Sequence, residues 1–358
     1  MVHIPEIDPH FLPEVDPPRR ALGNMRAVRK LVIATPALAA FVLCGTLGSM
    51  ARAQGSQRPI ADTHIHLYKV TRPGGVPWPS PKNKILYRDV LPAEYKALAK
   101  KYGITSTGIV EASPLFDDNQ AVLDMVKGDR FFSFLVAQVE IGSPDLLAAL
   151  DKLAEDPRVV GIRAFLWASR ITLDATQLAQ LRAVAAKGMT LDIVSRGTLN
   201  PKEQVSALAL AVPDLRIILD HLAGAKGAHP SPDWERDVRR LADRHQNVFV
   251  KFSSFFDMYN PGATEDEGWK SPTTLEAYKA NFDVLMTAFG EDRLIWGSNW
   301  PVSDLGGDFG KQIELAEEYL KPFGPKVRDK VMFGNARDFY HPSHTPIRHR
   351  FTHRVPQD

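Results

Sequence analysis

The sequence predicts an α/β fold, a (β/α)8 TIM barrel forming one domain behind an N-terminal export segment. Three observations predict it. From Pro59 onward, short apolar runs alternate with longer amphipathic stretches, the pattern of a parallel sheet with crossover helices. The runs number eight, and eight such units in about 280 residues suit a barrel better than a doubly wound sheet. No Gly-rich dinucleotide fingerprint follows the first run, which also counts against the doubly wound alternative.

Taken in order, the chain begins with an expected secretory signal. Arg26, Arg29 and Lys30 precede an apolar run over residues 31–50, and Ala51-Arg52-Ala53 follows as a small-residue cleavage site. Met25 is the more ordinary start for such a segment. An uncleaved anchor is the alternative, but Pro36, Gly45, Gly48 and Ser49 dilute the run. Arg19-Arg20 hints weakly at twin-arginine export, and Leu43 is bulkier than lipidation of Cys44 would want. The expectation is a periplasmic or secreted protein cleaved near Ala53, with no stable membrane anchor. Residues 54–340 then form the barrel, and 341–358, with four histidines and three arginines, a disordered tail.

The eight strand runs are residues 60–66, 105–112, 131–139, 159–166, 190–196, 216–222, 248–254 and 294–299. Helical patterns occupy 92–102, 145–155, 176–186, 202–211, 234–244, 275–289 and 311–320, with apolar positions at three- and four-residue spacing, as in Leu146, Leu147, Leu150 and Leu153.

Composition narrows the partners. Lys+Arg (44) nearly cancels Asp+Glu (42), so nucleic acid is not expected and a small molecule is. The single cysteine excludes internal disulfides and thiolate zinc clusters, and cleavage after Ala53 would remove it. There is no G-x-S-x-G, no H-E-x-x-H and no phosphate loop.

A barrel's site lies where its strands end. Here those ends carry His64 and His66, Glu111, Arg163, Asp192 and Arg196, His221, Lys251 and Ser253, and Asn299. Strand alternation puts Asp62, His64 and His66 on one face, where two imidazoles can converge on a metal such as zinc. A hydrogen-bonded pair of core histidines is the alternative.

Ala61-Asp62-Thr63-His64-Ile65-His66, Leu219-Asp220-His221-Leu222-Ala223-Gly224, Val250-Lys251-Phe252-Ser253 and Trp296-Gly297-Ser298-Asn299-Trp300-Pro301-Val302 resemble the amidohydrolase superfamily. More narrowly they are similar to its amidohydrolase-related branch of sugar lactonases and 2-pyrone-4,6-dicarboxylate lactonase. Phe333-Gly334-Asn335-Ala336-Arg337 resembles that branch's closing segment. The resemblance implies a hydrolase in which His64, His66 and His221 hold one divalent metal, zinc by donor type, or polarise a carbonyl without one. Relatives carry aspartate where this chain has Asn299. An amide orients water but cannot take its proton. The base then falls to Glu111 first, to Asp304 in its Asp-Leu-Gly-Gly loop, or to His221. With no lysine on strand four and no histidine on strand five, a carbamate-bridged pair of metals is not expected.

Arg163 and Arg196 suit a carboxylate on substrate or product, with internal ion pairs to Glu111, Asp192 and Asp220 as the alternative. Lys251 reads as structural. Two long loops flank the mouth. Residues 70–81 carry four prolines and Trp78, a stacking face for a ring, and 255–274 carry Phe256, Tyr259 and Trp269. The leading reading is hydrolysis of a lactone, or less well an amide. A metal-dependent decarboxylase on the same barrel and a non-catalytic periplasmic binding protein are the alternatives.

Overall fold

The computed structural model describes residues 58–165, 172–194, 202–262 and 267–341. The expected signal segment, Arg196 and residues 342–358 lie outside these. Eight parallel strands lie side by side in chain order: β1 (Ile60–Ile65), β2 (Ile104–Val110), β3 (Phe132–Gln138), β4 (Val159–Phe165), β5 (Thr190–Val194), β6 (Ile217–Leu219), β7 (Val248–Ser253) and β8 (Leu294–Gly297). The ring closes where Asn299 N donates to His64 O at 2.7 Å and His66 N to Trp300 O at 2.8 Å.

Helices follow the strands: α1 (Pro92–Lys101), α2 (Asp117–Met125), α3 (Leu146–Leu153), α4 (Ala175–Ala186), α5 (Lys202–Ala211), α6 (Pro232–Arg244), α7 (Glu276–Phe289) and α8 (Phe309–Leu320). Several starts are set locally. Asp174, Ser231 and Asp308 each accept from the backbone N–H three residues on, satisfying one of the donors that a helix start leaves free. The short α9 (Pro325–Asp329) and a π turn lead into α10 (Asn335–Tyr340).

The apolar core has two parts. One lies between strands and outer helices and includes Ile65, Leu123, Leu150, Val184, Leu208, Val238 and Leu285. The other includes Ala61, Val110, Phe134, Val136, Val160, Ile218 and Ile295 of the strands together with Phe339 and Tyr340 of α10. Helix α10 is thus the floor of the barrel, and the Tyr340 ring stacks on Phe134 at 4.2 Å. Among the described residues, no helix is long and apolar enough to cross a membrane.

Three sequence expectations are corrected. Helix α2 was absent from the periodic pattern. Its buried face holds Asp118 and Asn119 beside Val122 and Leu123, so polar contacts dock it where an apolar stripe would be sought. The run ending at Leu222 stops as a strand at Leu219, because His221 and Leu222 adopt left-handed backbone. Asp62 does not share a face with His64 and His66. Asp62 pairs with Thr107 and Ile65 with Ile109, so three steps on β1 match two on β2. This bulge reverses the alternation and turns Asp62 outward, where its carboxylate accepts from Tyr95 Oη of α1 at 2.6 Å.

Candidate active site

Strands β6, β7 and β8 each run into a residue in the left-handed region: His221 (φ 53°), Ser254 (φ 54°) and Asn299 (φ 61°). After His221 come Leu222 at 54°, Ala223 at 52° and Gly224 at 76°, a full left-handed turn. Only glycine adopts that region freely, and each non-glycine residue there costs about 1–2 kcal/mol. Packing holds the turn. Leu222 and Ala223 are buried, and Trp234 Nε1 donates to Ala223 O at 3.0 Å. Strain of this kind gathers where side chains must be aimed.

The histidines are brought together. The His64 ring lies 5.0 Å from that of His66 and 4.7 Å from that of His221. Gly297 lets β8 pack closely on β1 at this point, because a Cβ there would stand 3.0 Å from His64 Cβ. Donor atoms of His64, Asp220 and His221 lie within 4.8 Å of one another, a grouping that can hold a divalent metal. His66 is directed elsewhere. Its Nδ1 lies 2.7 Å from Val110 O and its Nε2 3.1 Å from the Asn299 amide.

Burial lowers all three histidine pKa values, His66 and His221 to about 3 and His64 well below its ordinary value; Arg163 adds to this at His66 and Lys251 at His64. Neutral His66 has one N–H, and Val110 O takes it. Its Nε2 therefore keeps a lone pair. The Asn299 amide lies with Oδ1 3.1 Å from that nitrogen and Nδ2 donating to Ser254 Oγ at 2.9 Å; a half-turn of the amide exchanges O and N, sets the NH2 on the lone pair and lets Ser254 Oγ–H donate to the oxygen. An aspartate would face that lone pair with a second acceptor. Asn299 matches a neutral His66.

Below the histidines lies a buried ionic chain. Lys251 Nζ lies 2.6 Å from Asp192 Oδ2, 3.1 Å from Asp220 Oδ1 and 3.2 Å from His64 Nδ1. Tyr340 Oη donates to Asp192 Oδ2 at 3.0 Å, tying the barrel floor to the chain. Burial works to raise Asp220, but Lys251 and His64 outweigh it and hold its carboxyl well below the usual range. Arg163 Nε stands 3.7 Å from Asp220 Oδ2, and its Nη1 donates to Glu111 O at 3.4 Å. The internal ion pairing weighed for Arg163 is therefore present, to Asp220, and Lys251 is held by Asp192 and Asp220.

Glu111 ends β2. Its Oε1 accepts from Ala112 N at 2.8 Å and Ser113 N at 2.7 Å, while Oε2 is buried without a partner. Burial raises its pKa to about 7. It lines a cleft with Trp78, Tyr68, Arg72, Ser113 and Asp118. Trp78 stands edge-on to His66 at 5.7 Å, and Arg72 pairs with Asp118 at 2.8 Å, holding the 70–81 loop to α2. Asp304 lies apart. Burial raises it to about 7, and its neighbours are Trp300, Arg88 and Glu94. Trp269 bonds within its own loop, to Phe256 O at 3.0 Å. The residue that sequence reasoning left out of the ligand set is Asp220. Its signal was its place directly before His221 at the end of a barrel strand.

The family model "Amidohydrolase" matches residues 61–341. An L-fucono-1,5-lactonase from Burkholderia ambifaria is 30% identical over 293 residues, 78% of this chain and 94% of that protein. Among solved structures, a Burkholderia multivorans amidohydrolase with bound zinc superposes with a TM-score of 0.68 at 21% identity, covering 78% of this chain and 98% of that one. A probable 2-pyrone-4,6-dicarboxylic acid hydrolase from Acinetobacter baumannii, with citric acid bound, gives 0.62 at 16% identity and covers 78% and 98%. The two structures share the barrel fold with this chain.

Proposed function

Because the chain belongs to the amidohydrolase family and is a hydrolase of that superfamily, we propose that it opens a lactone of a small sugar-derived or carboxylated acid. The observation that carries this reading is the pairing of neutral His64 and His221, beside the Asp220 carboxylate, with Glu111 raised to about 7, Arg163 donating to Glu111 O while facing Asp220. An ester carbonyl needs a polarising group and a base for water, and these residues supply both. The lactonase from Burkholderia ambifaria makes sugar-acid lactones the first substrates to try.

Ionised Glu111 takes a proton from water as its oxygen attacks the carbonyl carbon. When the ring C–O bond breaks, the same carboxyl returns the proton to the leaving alkoxide, and the product is the open hydroxy acid. His64 and His221 hold the carbonyl oxygen, Asn299 keeps His66 in register, and Trp78 covers the substrate ring. His64, His221 and Asp220 also fit a divalent metal, since His64 Nε2 is buried without a hydrogen-bond partner. A metal bound there would supply Lewis-acid polarisation of the carbonyl. Arg163, already engaged by Asp220 and Glu111 O, contributes positive field near the product carboxylate.

The test is acid release from a panel of sugar 1,4- and 1,5-lactones by the purified protein. Turnover supports the reading. Carbon dioxide release from an aromatic carboxylate would favour the decarboxylase, and saturable binding without turnover the binding protein.

A further inference from the structure

The buried ionic chain holds a cation at the metal-binding group itself. Lys251 Nζ touches two of the three residues grouped there, at 3.1 Å from Asp220 Oδ1 and 3.2 Å from His64 Nδ1. Its firmest partner, Asp192 at 2.6 Å, is fully buried, as is Lys251, so the ammonium is fixed in place. Asp220 is less well served. Neither of its oxygens accepts a well-aligned hydrogen bond among the described residues, although Lys251 and Arg163 stand near. The carboxylate is held by charge, and charge is what a metal would also offer.

Two arrangements of His64 follow. While Lys251 donates to Nδ1, the ring's single proton is on Nε2, and that nitrogen cannot ligate. For Nε2 to ligate, the proton must be on Nδ1, where Asp220 Oδ1, at 3.6 Å, is the available acceptor and Lys251 is repelled. Each cation therefore requires the His64 arrangement that disfavours the other. We propose that Lys251 is a resident cation that competes with a divalent metal for His64 and Asp220, and so weakens metal binding at this site. The inference rests on the metal-holding reading of His64, Asp220 and His221 given above.

The experiment measures Zn2+ affinity of the chelator-stripped full chain by competition with a fluorescent chelator, and the thermal shift at saturating Zn2+. Wild type is compared with Lys251→Met and Lys251→Gln. The expected result is Zn2+ binding tighter by about tenfold or more in the variants, the scale on which groups around ligands tune affinity. Their thermal stabilisation by Zn2+ should also be larger, since the metal then replaces the missing cation. A folded variant that binds Zn2+ no tighter than a Zn2+-binding wild type overturns the proposal. So do variants that stay unfolded at saturating Zn2+, because the metal then cannot stand in for the ammonium. If neither wild type nor any folded variant binds Zn2+, the metal-holding reading fails as well.

Discussion

Replacing Glu111 by glutamine separates the carboxyl's burial from its role as base. Burial raises this carboxyl from 4.5 to about 7. In the window between those values the folded state holds a proton that the unfolded state has released. Stability from this group is complete below about pH 4.5 and falls as pH rises towards the folded value. At ~1.4 kcal/mol per pH unit the loss reaches roughly 3 kcal/mol by pH 8. Glutamine does not titrate, and its Oε1 can keep the bonds from Ala112 N and Ser113 N. Any fixed cost of the new amide is the same at every pH. The assay is urea unfolding of both proteins from pH 4.5 to 8. The gap between them should move by roughly 3 kcal/mol in favour of Glu111→Gln as pH rises. Asp304 is also raised to about 7 but is present in both proteins, so it cancels. Lactone hydrolysis by wild type should rise along a limb near pH 7 and fall ~10²–10⁴-fold in the variant, the usual range for general-base assistance. A flat stability gap would refute the buried-carboxyl argument. A moving gap with unchanged turnover would refute the base assignment alone.

Asn299→Asp sets a carboxylate against the His66 lone pair, so its rate should gain less than ~10-fold, a barrier change of ~1.4 kcal/mol; a gain of orders of magnitude would mark Asn299 as a lost base. Gly297→Ala places a methyl 3.0 Å from His64 Cβ and should cost ~1–3 kcal/mol in chemical denaturation, together with lactone turnover. We propose export with cleavage near Ala53; intact mass of periplasmic protein should find Gln54 or a neighbour at the N-terminus, and a full-length membrane-bound chain would contradict it.

How much of this was legible follows from what pattern reading measures. Strands buried on both faces read as apolar runs, and all eight were found within a few residues of their ends. The same reading could not see α2, whose place depends on Asn119 bonding Phe116 O and Gln138 O and on Asp118 pairing with Arg72. Period-two alternation assumes an unbroken strand, so the bulge that turns Asp62 outward has no signature in it. Strand positions named Glu111, His64, His66 and His221 as groups at the mouth, and the structure gathers the three histidine rings. The sequence shows no sign of the left-handed turn beyond Gly224, since its other residues are held by burial under Trp234. Asn299 was read as a departure from relatives. Its partner, the lone pair on His66, exists only once Val110 O has fixed the ring.

The central claim is that water attacks a lactone carbonyl at this barrel mouth. Hydrolysis of a sugar 1,5-lactone in ¹⁸O-labelled water, read by mass spectrometry of the product, tests it most directly. The account predicts one labelled oxygen in the product carboxylate and none in the freed hydroxyl, with His64→Ala abolishing the reaction. Label in the hydroxyl, release of carbon dioxide, or full turnover by His64→Ala would contradict it.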